Sequence, residues 1–99
     1  MELRIAQSAL EDLKAIQEHY REQDVPHIGD DFVAAILEHY GMPQIHPDAG
    51  RVVPEFNLDH IRELIHAPFR VVYLRQAKEV VLIRVWRSER QLELPENET

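Results

Sequence analysis

Arginine is the side chain of this sequence best suited to act on a partner. Arg51, Arg62, Arg70, Arg75, Arg84, Arg87 and Arg90 all lie in its second half. A guanidinium stays charged at any physiological pH and presents a planar fork of donors that matches a carboxylate or a phosphate. Arg51, Arg62, Arg70, Arg84, Arg87 and Arg90, with Trp86 among them, are therefore the candidate partner-binding residues. They do not by themselves make a catalytic centre, and no residue is assigned a catalytic role. Cysteine is absent, which removes thiolate nucleophiles, thiolate metal sites and disulfides and points to a reducing compartment. There is no glycine-rich phosphate loop, and the six histidines lack a ligand spacing such as HExxH, so neither metal nor cofactor is expected. His19 and His39 each precede a tyrosine near a helix end, where the helix dipole favours histidine. Ser8 reads as a helix cap, not a nucleophile.

The surroundings of these arginines limit what they can bind. The formal net charge is −7, unevenly spread. Residues 1–50 hold 3 Lys and Arg against 10 Asp and Glu, while residues 51–90 hold 8 against 5. Phosphate neutralisation supplies most non-specific nucleic-acid affinity, so direct nucleic-acid binding by this acidic chain is not expected. A local arginine patch can still dock an anion or an acidic protein segment. The first residues, Met1 to Ala6, lack a signal-peptide run, and no apolar stretch reaches bilayer-spanning length. The expected location is the cytoplasm, with no membrane partner.

The chain has 99 residues, 44% of them hydrophobic and 29% charged, which suits one domain over 1–99 with a flexible tail at 95–99. Leu3 to Ala6 reads as a strand. Ser8 and Glu11 have the spacing of a capping box, and Leu10, Leu13, Ile16 and Tyr20 follow as one apolar helical stripe. Gln23-Asp24-Val25-Pro26 stops that helix. A second runs from about Ile28 to Tyr40, with Ile28, Phe32, Ile36 and Tyr40 at four-residue spacing, Val33 and Leu37 widening the stripe, and Gly41 and Pro43 as its stop. Residues 42–60 read as loop, with a turn at Asp48-Ala49-Gly50. Ile61–Ile65, Phe69–Arg75 and Glu79–Trp86 read as strands joined by His66-Ala67-Pro68 and Gln76-Ala77-Lys78. The fold class is α+β in the order β-α-α-β-β-β, an N-terminal helical hairpin packed on a small, mainly antiparallel sheet.

A three-residue hairpin loop sets Arg70 opposite Arg84 and Val72 opposite Leu82. Phe69, Val71 and Tyr73 then oppose Val85, Ile83 and Val81 on an apolar face that suits the helices. The other face holds Val72, Leu74, Val80 and Leu82, flanked by Arg70, Arg84 and Trp86, and is more apolar than a solvated face should be. Two facing arginines are costly unless a carboxylate or other anion lies between them. Either the chain's own C-terminal segment and glutamates cover this face, or it is a groove for a partner. The inference depends on the register: a two-residue turn breaks the facing pair.

Several segments, in order, resemble ParE-type toxins. They are the N-terminal strand, Ala9-Leu10-Glu11-Asp12-Leu13, the helical hairpin, Gly50-Arg51-Val52-Val53-Pro54-Glu55 and Ile61-Arg62-Glu63-Leu64. Phe69-Arg70-Val71-Val72-Tyr73, Val81-Leu82-Ile83-Arg84-Val85-Trp86 and the polar Arg87-Ser88-Glu89-Arg90 complete the set, which covers about residues 2–92. The resemblance to the ParE/RelE toxin superfamily implies a type II toxin–antitoxin pair. The toxin is held inactive by a cognate antitoxin whose C-terminal segment wraps it, as a homodimer or a heterotetramer with that antitoxin. Two activities occur in this superfamily. ParE-like members inhibit DNA gyrase, and RelE-like members cut mRNA on the ribosome. RelE-like ribonucleases commonly carry an arginine on the central strand, a second arginine and a C-terminal tyrosine. Arg70 matches the first, but Ser88 and Leu94 stand where the others would be, and no tyrosine follows Tyr73. Phosphodiester cleavage needs proton transfer as well as charge stabilisation. The resemblance therefore favours gyrase inhibition by protein–protein binding. Two alternatives stay open: a RelE-like ribosome-dependent endoribonuclease with His60, His66 or Glu63 as base, and a non-toxic relative that only binds its partner.

Overall fold

The computed structural model describes residues 2–40 and 49–88. Strand β1 (Glu2–Ile5) leads into a helical hairpin, α1 (Gln7–Glu22) and α2 (Pro26–Tyr40). Then follow β2 (Arg51–Val52), β3 (Ile61–His66), β4 (Phe69–Arg75) and β5 (Glu79–Arg87). The sheet order is β1-β5-β4-β3-β2, antiparallel throughout except for the parallel β1–β5 pair. The helical hairpin on a mainly antiparallel sheet is as expected. The short β2 is an addition within a stretch expected to be loop. It forms because Arg51 and Val52 lie against Glu63 and Arg62 of β3. Of the expected turn at 48–50 only Ala49 and Gly50 are described. The Gly41 and Pro43 stop, Arg90, Leu94 and the tail at 95–99 lie outside the described residues.

The hairpin turns on backbone geometry. Asp24 adopts a left-handed φ of 62°. Its N–H reaches Arg21 O and that of Val25 reaches Tyr20 O, which closes α1 with the paired bonds of a Schellman ending. Pro26 is the first residue of α2 as well as the end of the linker, since a first-turn proline lacks an N–H that would have no partner there. Gly29 sits where a Cβ would approach Tyr20 Cβ to 3.0 Å and Gln17 Cα to 3.2 Å, so its absence lets the helices close. Ala9, Leu13 and Ile16 of α1 and Ile36 of α2 pack on Phe69, Val71, Tyr73, Val80, Leu82 and Val85. Leu10, expected in the stripe, is exposed, and Ala9 takes its place.

The capping box is not formed. Ala6 is the N-cap and makes no side-chain cap bond. Ser8 faces the sheet instead, and its Oγ donates to Ile83 O at 2.6 Å. One turn later Asp12 Oδ2 accepts the Val85 N–H at 2.9 Å. The reason is topological. β1 pairs with β5 from Glu79 to Leu82 and ends at Ile5, so two α1 side chains take over as hydrogen-bond partners along the rest of that β5 edge.

The β4–β5 register also departs from expectation. Arg75, Leu74 and Tyr73 oppose Val80, Val81 and Leu82, but beyond a bulge at Val72/Tyr73, Val72 opposes Arg84 and Arg70 opposes Trp86. The turn is one residue tighter than expected, and the bulge adds another residue to β5. Arg70 and Arg84 therefore do not face each other. On β5, Val80 and Leu82 take the helix face, while Val81 and Ile83 take the far face with Val72, Leu74, Ile61, Val53 and Ala6. Phe56 and Trp86 pack against that second cluster. Val72, Val81 and Ile83 are fully buried, so the far face is a second core layer, not an open apolar groove.

Candidate functional site

The buried centre of the arginine set is Arg70. Its position on β4, the middle strand of the sheet, turns it to the far face, where only 7% of it is exposed. A charge so placed requires partners. Arg70 Nε donates to Glu63 Oε1 at 2.6 Å, and Glu63 on neighbouring β3 has no exposed side-chain surface. Nη1 and Nη2 donate to Glu55 Oε2 and Oε1 at 2.6 and 2.8 Å, a two-pronged contact. Arg51 on β2 closes the cluster, its Nε donating to Glu63 Oε2 at 2.7 Å. Both Glu63 oxygens are thus taken. The hydrogen bonds from Arg70 hold the Glu55 carboxyl down at about 2, against the opposing effect of burial. The same bonds, to Glu55 first and Glu63 second, hold the Arg70 guanidinium above its ordinary value.

The segment from Val53 to His60 carries Glu55 and is tied by a second arginine group. Arg62 Nη2 and Nε donate to Asp59 Oδ1 and Asp59 O at 2.7 and 2.9 Å, and Nη1 reaches Gly50 O at 3.1 Å. Arg75 also pairs with Asp59. Gly50 N donates to the buried Tyr73 hydroxyl at 2.9 Å. A Cβ at Gly50 would lie 2.5 Å from Glu63 O and 2.7 Å from Tyr73 Oη, so this turn runs too close to β3 and β4 for any side chain.

Arg84 belongs to a separate arrangement. Its Nε and Nη2 donate to Asp12 Oδ2 and Oδ1 at 2.8 and 3.0 Å, and its guanidinium carbon lies 4.0 Å from the Trp86 ring centroid. Arg87 lies 5.7 Å from the Phe69 ring centroid. A cavity of about 550 Å³ opens between α1 and the end of β5, lined by Ile16, His19, Tyr20, Phe69, Val85 and Arg87 among others. Ser88 Oγ donates to Pro68 O at 3.0 Å, across the cis Ala67–Pro68 connection.

The candidate arginines thus divide. Arg51 and Arg70 share the Glu63 cluster, Arg62 anchors the Val53–His60 segment, and Arg84, Trp86 and Arg87 lie along β5. Carboxylates from within the chain meet Arg51, Arg62, Arg70 and Arg84. Sequence reasoning does not single out Glu55 or Asp12. For Glu63 a signal existed: it alternates with Ile61 on β3 and so occupies a core-facing position. Glu63 with two guanidinium partners is not placed to take a proton from a substrate, and exposed His60 lies at the end of the segment covering Arg70. Among the described residues no three His, Cys, Asp or Glu side chains gather to hold a metal, and no helix is long and apolar enough to cross a membrane.

Comparison with known proteins agrees with the fold. The model of the family described as the ParE toxin of the type II toxin–antitoxin system parDE matches residues 3–92. A solved structure described as the chromosomal ParDE toxin–antitoxin system from P. aeruginosa is similar at a TM-score of 0.74 and 27% identity, over 90% of this chain and 97% of that one. None of the curated proteins matches.

Proposed function

The chain belongs to the ParE toxin family of type II toxin–antitoxin systems, and from that premise we propose that it is a toxin that inhibits DNA gyrase by protein–protein binding and is neutralised by a cognate antitoxin. Gyrase as target places its action in the cytoplasm. The solved relative is a ParDE system, which supports an antitoxin partner here.

One observation carries the choice between gyrase and RNA. Arg70 matches the central-strand arginine that the ribonuclease branch uses, yet its Nε, Nη1 and Nη2 are all bonded to Glu63 and Glu55. With Glu63 and Glu55 in place this guanidinium is neutralised and does not stabilise a phosphorane. The acidic net charge of −7 works in the same direction.

The test is expression of the chain without a partner, with growth, DNA breaks and mRNA integrity followed together, and supercoiling by purified gyrase in parallel. The expected result is growth arrest, inhibited supercoiling or trapped cleavage complexes, and intact mRNA. Codon-associated mRNA cuts lost on Arg70→Ala would assign the chain to the ribonuclease branch. Normal growth would make it a partner-binding relative without toxicity.

A further inference from the structure

The Arg70 cluster is built unequally on its two sides. Glu63 is fully buried and bonded by two arginines. Glu55 has a side chain 40% exposed and takes the terminal nitrogens of the Arg70 fork. Its segment is held mainly by solvent-facing groups. Pro54, Glu55, Asn57, Leu58, Asp59 and His60 are all exposed, and Phe56 is half-buried against the far-face cluster. Backbone bonds tie the segment to the sheet at its ends, Val53 N to Ile61 O and Arg75 N to His60 O. Between them, Phe56 N and Asn57 N to Val53 O and Ile61 N to Leu58 O close turns within the segment itself. Asp59, its remaining ionic anchor, is 70% exposed. Few apolar contacts and solvent-facing bonds are the marks of a unit that opens below the global unfolding energy.

We propose that Glu55 is a displaceable stand-in: the 54–59 segment opens, and Arg70 then seats a carboxylate from a partner protein in the two-pronged contact that Glu55 now makes. The exchange leaves no buried charge unpaired, because one carboxylate replaces another, whereas opening without a partner gives up the two-pronged contact to Arg70 for water. The closed form is therefore the resting form. With Glu55 withdrawn, Arg51, Arg70 and Glu63 sum to a single positive charge, which one carboxylate neutralises. A nucleic acid brings a whole polyanion against an acidic chain, so a protein is the favoured source. The seat serves whichever protein the chain binds and does not depend on that protein being gyrase.

The experiment is chemical rescue in the full chain. Glu55→Ala empties the seat, and its melting temperature is compared in sodium acetate, sodium phosphate and sodium chloride at equal ionic strength. Acetate is expected to raise the Glu55→Ala midpoint by roughly 4 °C over chloride, with no such rise in the wild type or in Glu55→Ala/Arg70→Met. Absence of that rise overturns the proposal, and so does a rise with phosphate alone, which would make the seat a phosphate site. Hydrogen exchange of the wild type supplies the second measurement. The Phe56 and Asn57 amides should exchange at least about 100-fold faster than those of Val71–Leu74. Exchange at the same rate as those strand amides means that the segment does not open by itself, and the proposal falls. It falls too if neither Glu55→Ala nor Glu55→Gln folds, since Glu55 is then a fixed member of the core.

Discussion

Replacing Arg70 by methionine separates the charge of this side chain from its bulk. Methionine keeps much of the aliphatic stem that packs on the far face, so the loss reports mainly on the ionic cluster. The cost falls on Glu63, whose side chain is wholly buried, and not on Glu55, which is 40% exposed and is released to water. Glu63 keeps Arg51, but that side chain is 61% exposed and screened by solvent, so it compensates little. Breaking one side of a buried pair costs about 3–5 kcal/mol. Taking the lower end for the remaining Arg51 contact, Arg70→Met should lose about 3 kcal/mol, and the melting temperature of a domain this size should fall by roughly 12–24 °C. Urea denaturation followed by circular dichroism measures it. The companion variant Arg70→Met/Glu63→Leu removes both buried charges and should recover most of the loss, since apolar replacement of a buried ion pair is close to neutral. A loss below about 1 kcal/mol in the single variant, or a double variant no more stable than the sum of the singles, would refute the claim that Arg70 is held as the partner of a buried carboxylate.

Three further outcomes follow from the same geometry. The folded-state carboxyl of Glu55 lies at about 2 against an ordinary 4.5, so its stabilisation is complete above pH 4.5 and is lost as pH falls towards 2. Discounted for its exposure this amounts to about 1 kcal/mol, and Glu55→Gln should flatten the acid side of the stability–pH curve by that amount in urea titrations. Asp12→Ala should cost about 2–3 kcal/mol, because it removes the acceptor of the Val85 N–H together with two hydrogen bonds of the Arg84 guanidinium. Asp12→Asn, which can still accept from Val85 N, should cost visibly less in thermal denaturation. Gly50→Ala should lose about 1–3 kcal/mol or more by overpacking, since its Cβ meets Glu63 O at 2.5 Å; a neutral result in denaturant would show that the turn relaxes.

The two helices, the three long strands and the helix-facing side chains of β4 are legible in the sequence, because period 3.6 and period 2 are local properties of a chain. Ile36 and Leu13 on the one hand and Phe69, Val71 and Tyr73 on the other are placed on the core by spacing alone. The candidate site is half legible. Arg51, Arg62, Arg70 and Arg84 stand out as cations in a β-rich half whose residues 51–90 hold 8 Lys and Arg against 5 Asp and Glu, a count that leaves their counter-charges to either the chain or a partner.

Which carboxylates answer them is a tertiary outcome. Glu55 meets Arg70 from fifteen residues away and Asp12 meets Arg84 from seventy-two. The bulge at Val72/Tyr73 decides that Arg70 lies opposite Trp86 instead of Arg84, and no local signal marks it. Ser8 and Asp12 are recruited to the β5 edge because β1 stops four residues in, a fact of sheet order that the α1 sequence does not contain. By itself the sequence determined that this chain folds two helices onto strands rich in arginine. Only the tertiary structure decided that most of that arginine is neutralised from within, because a side chain's charge is local and its partner is set by strand register and sheet order.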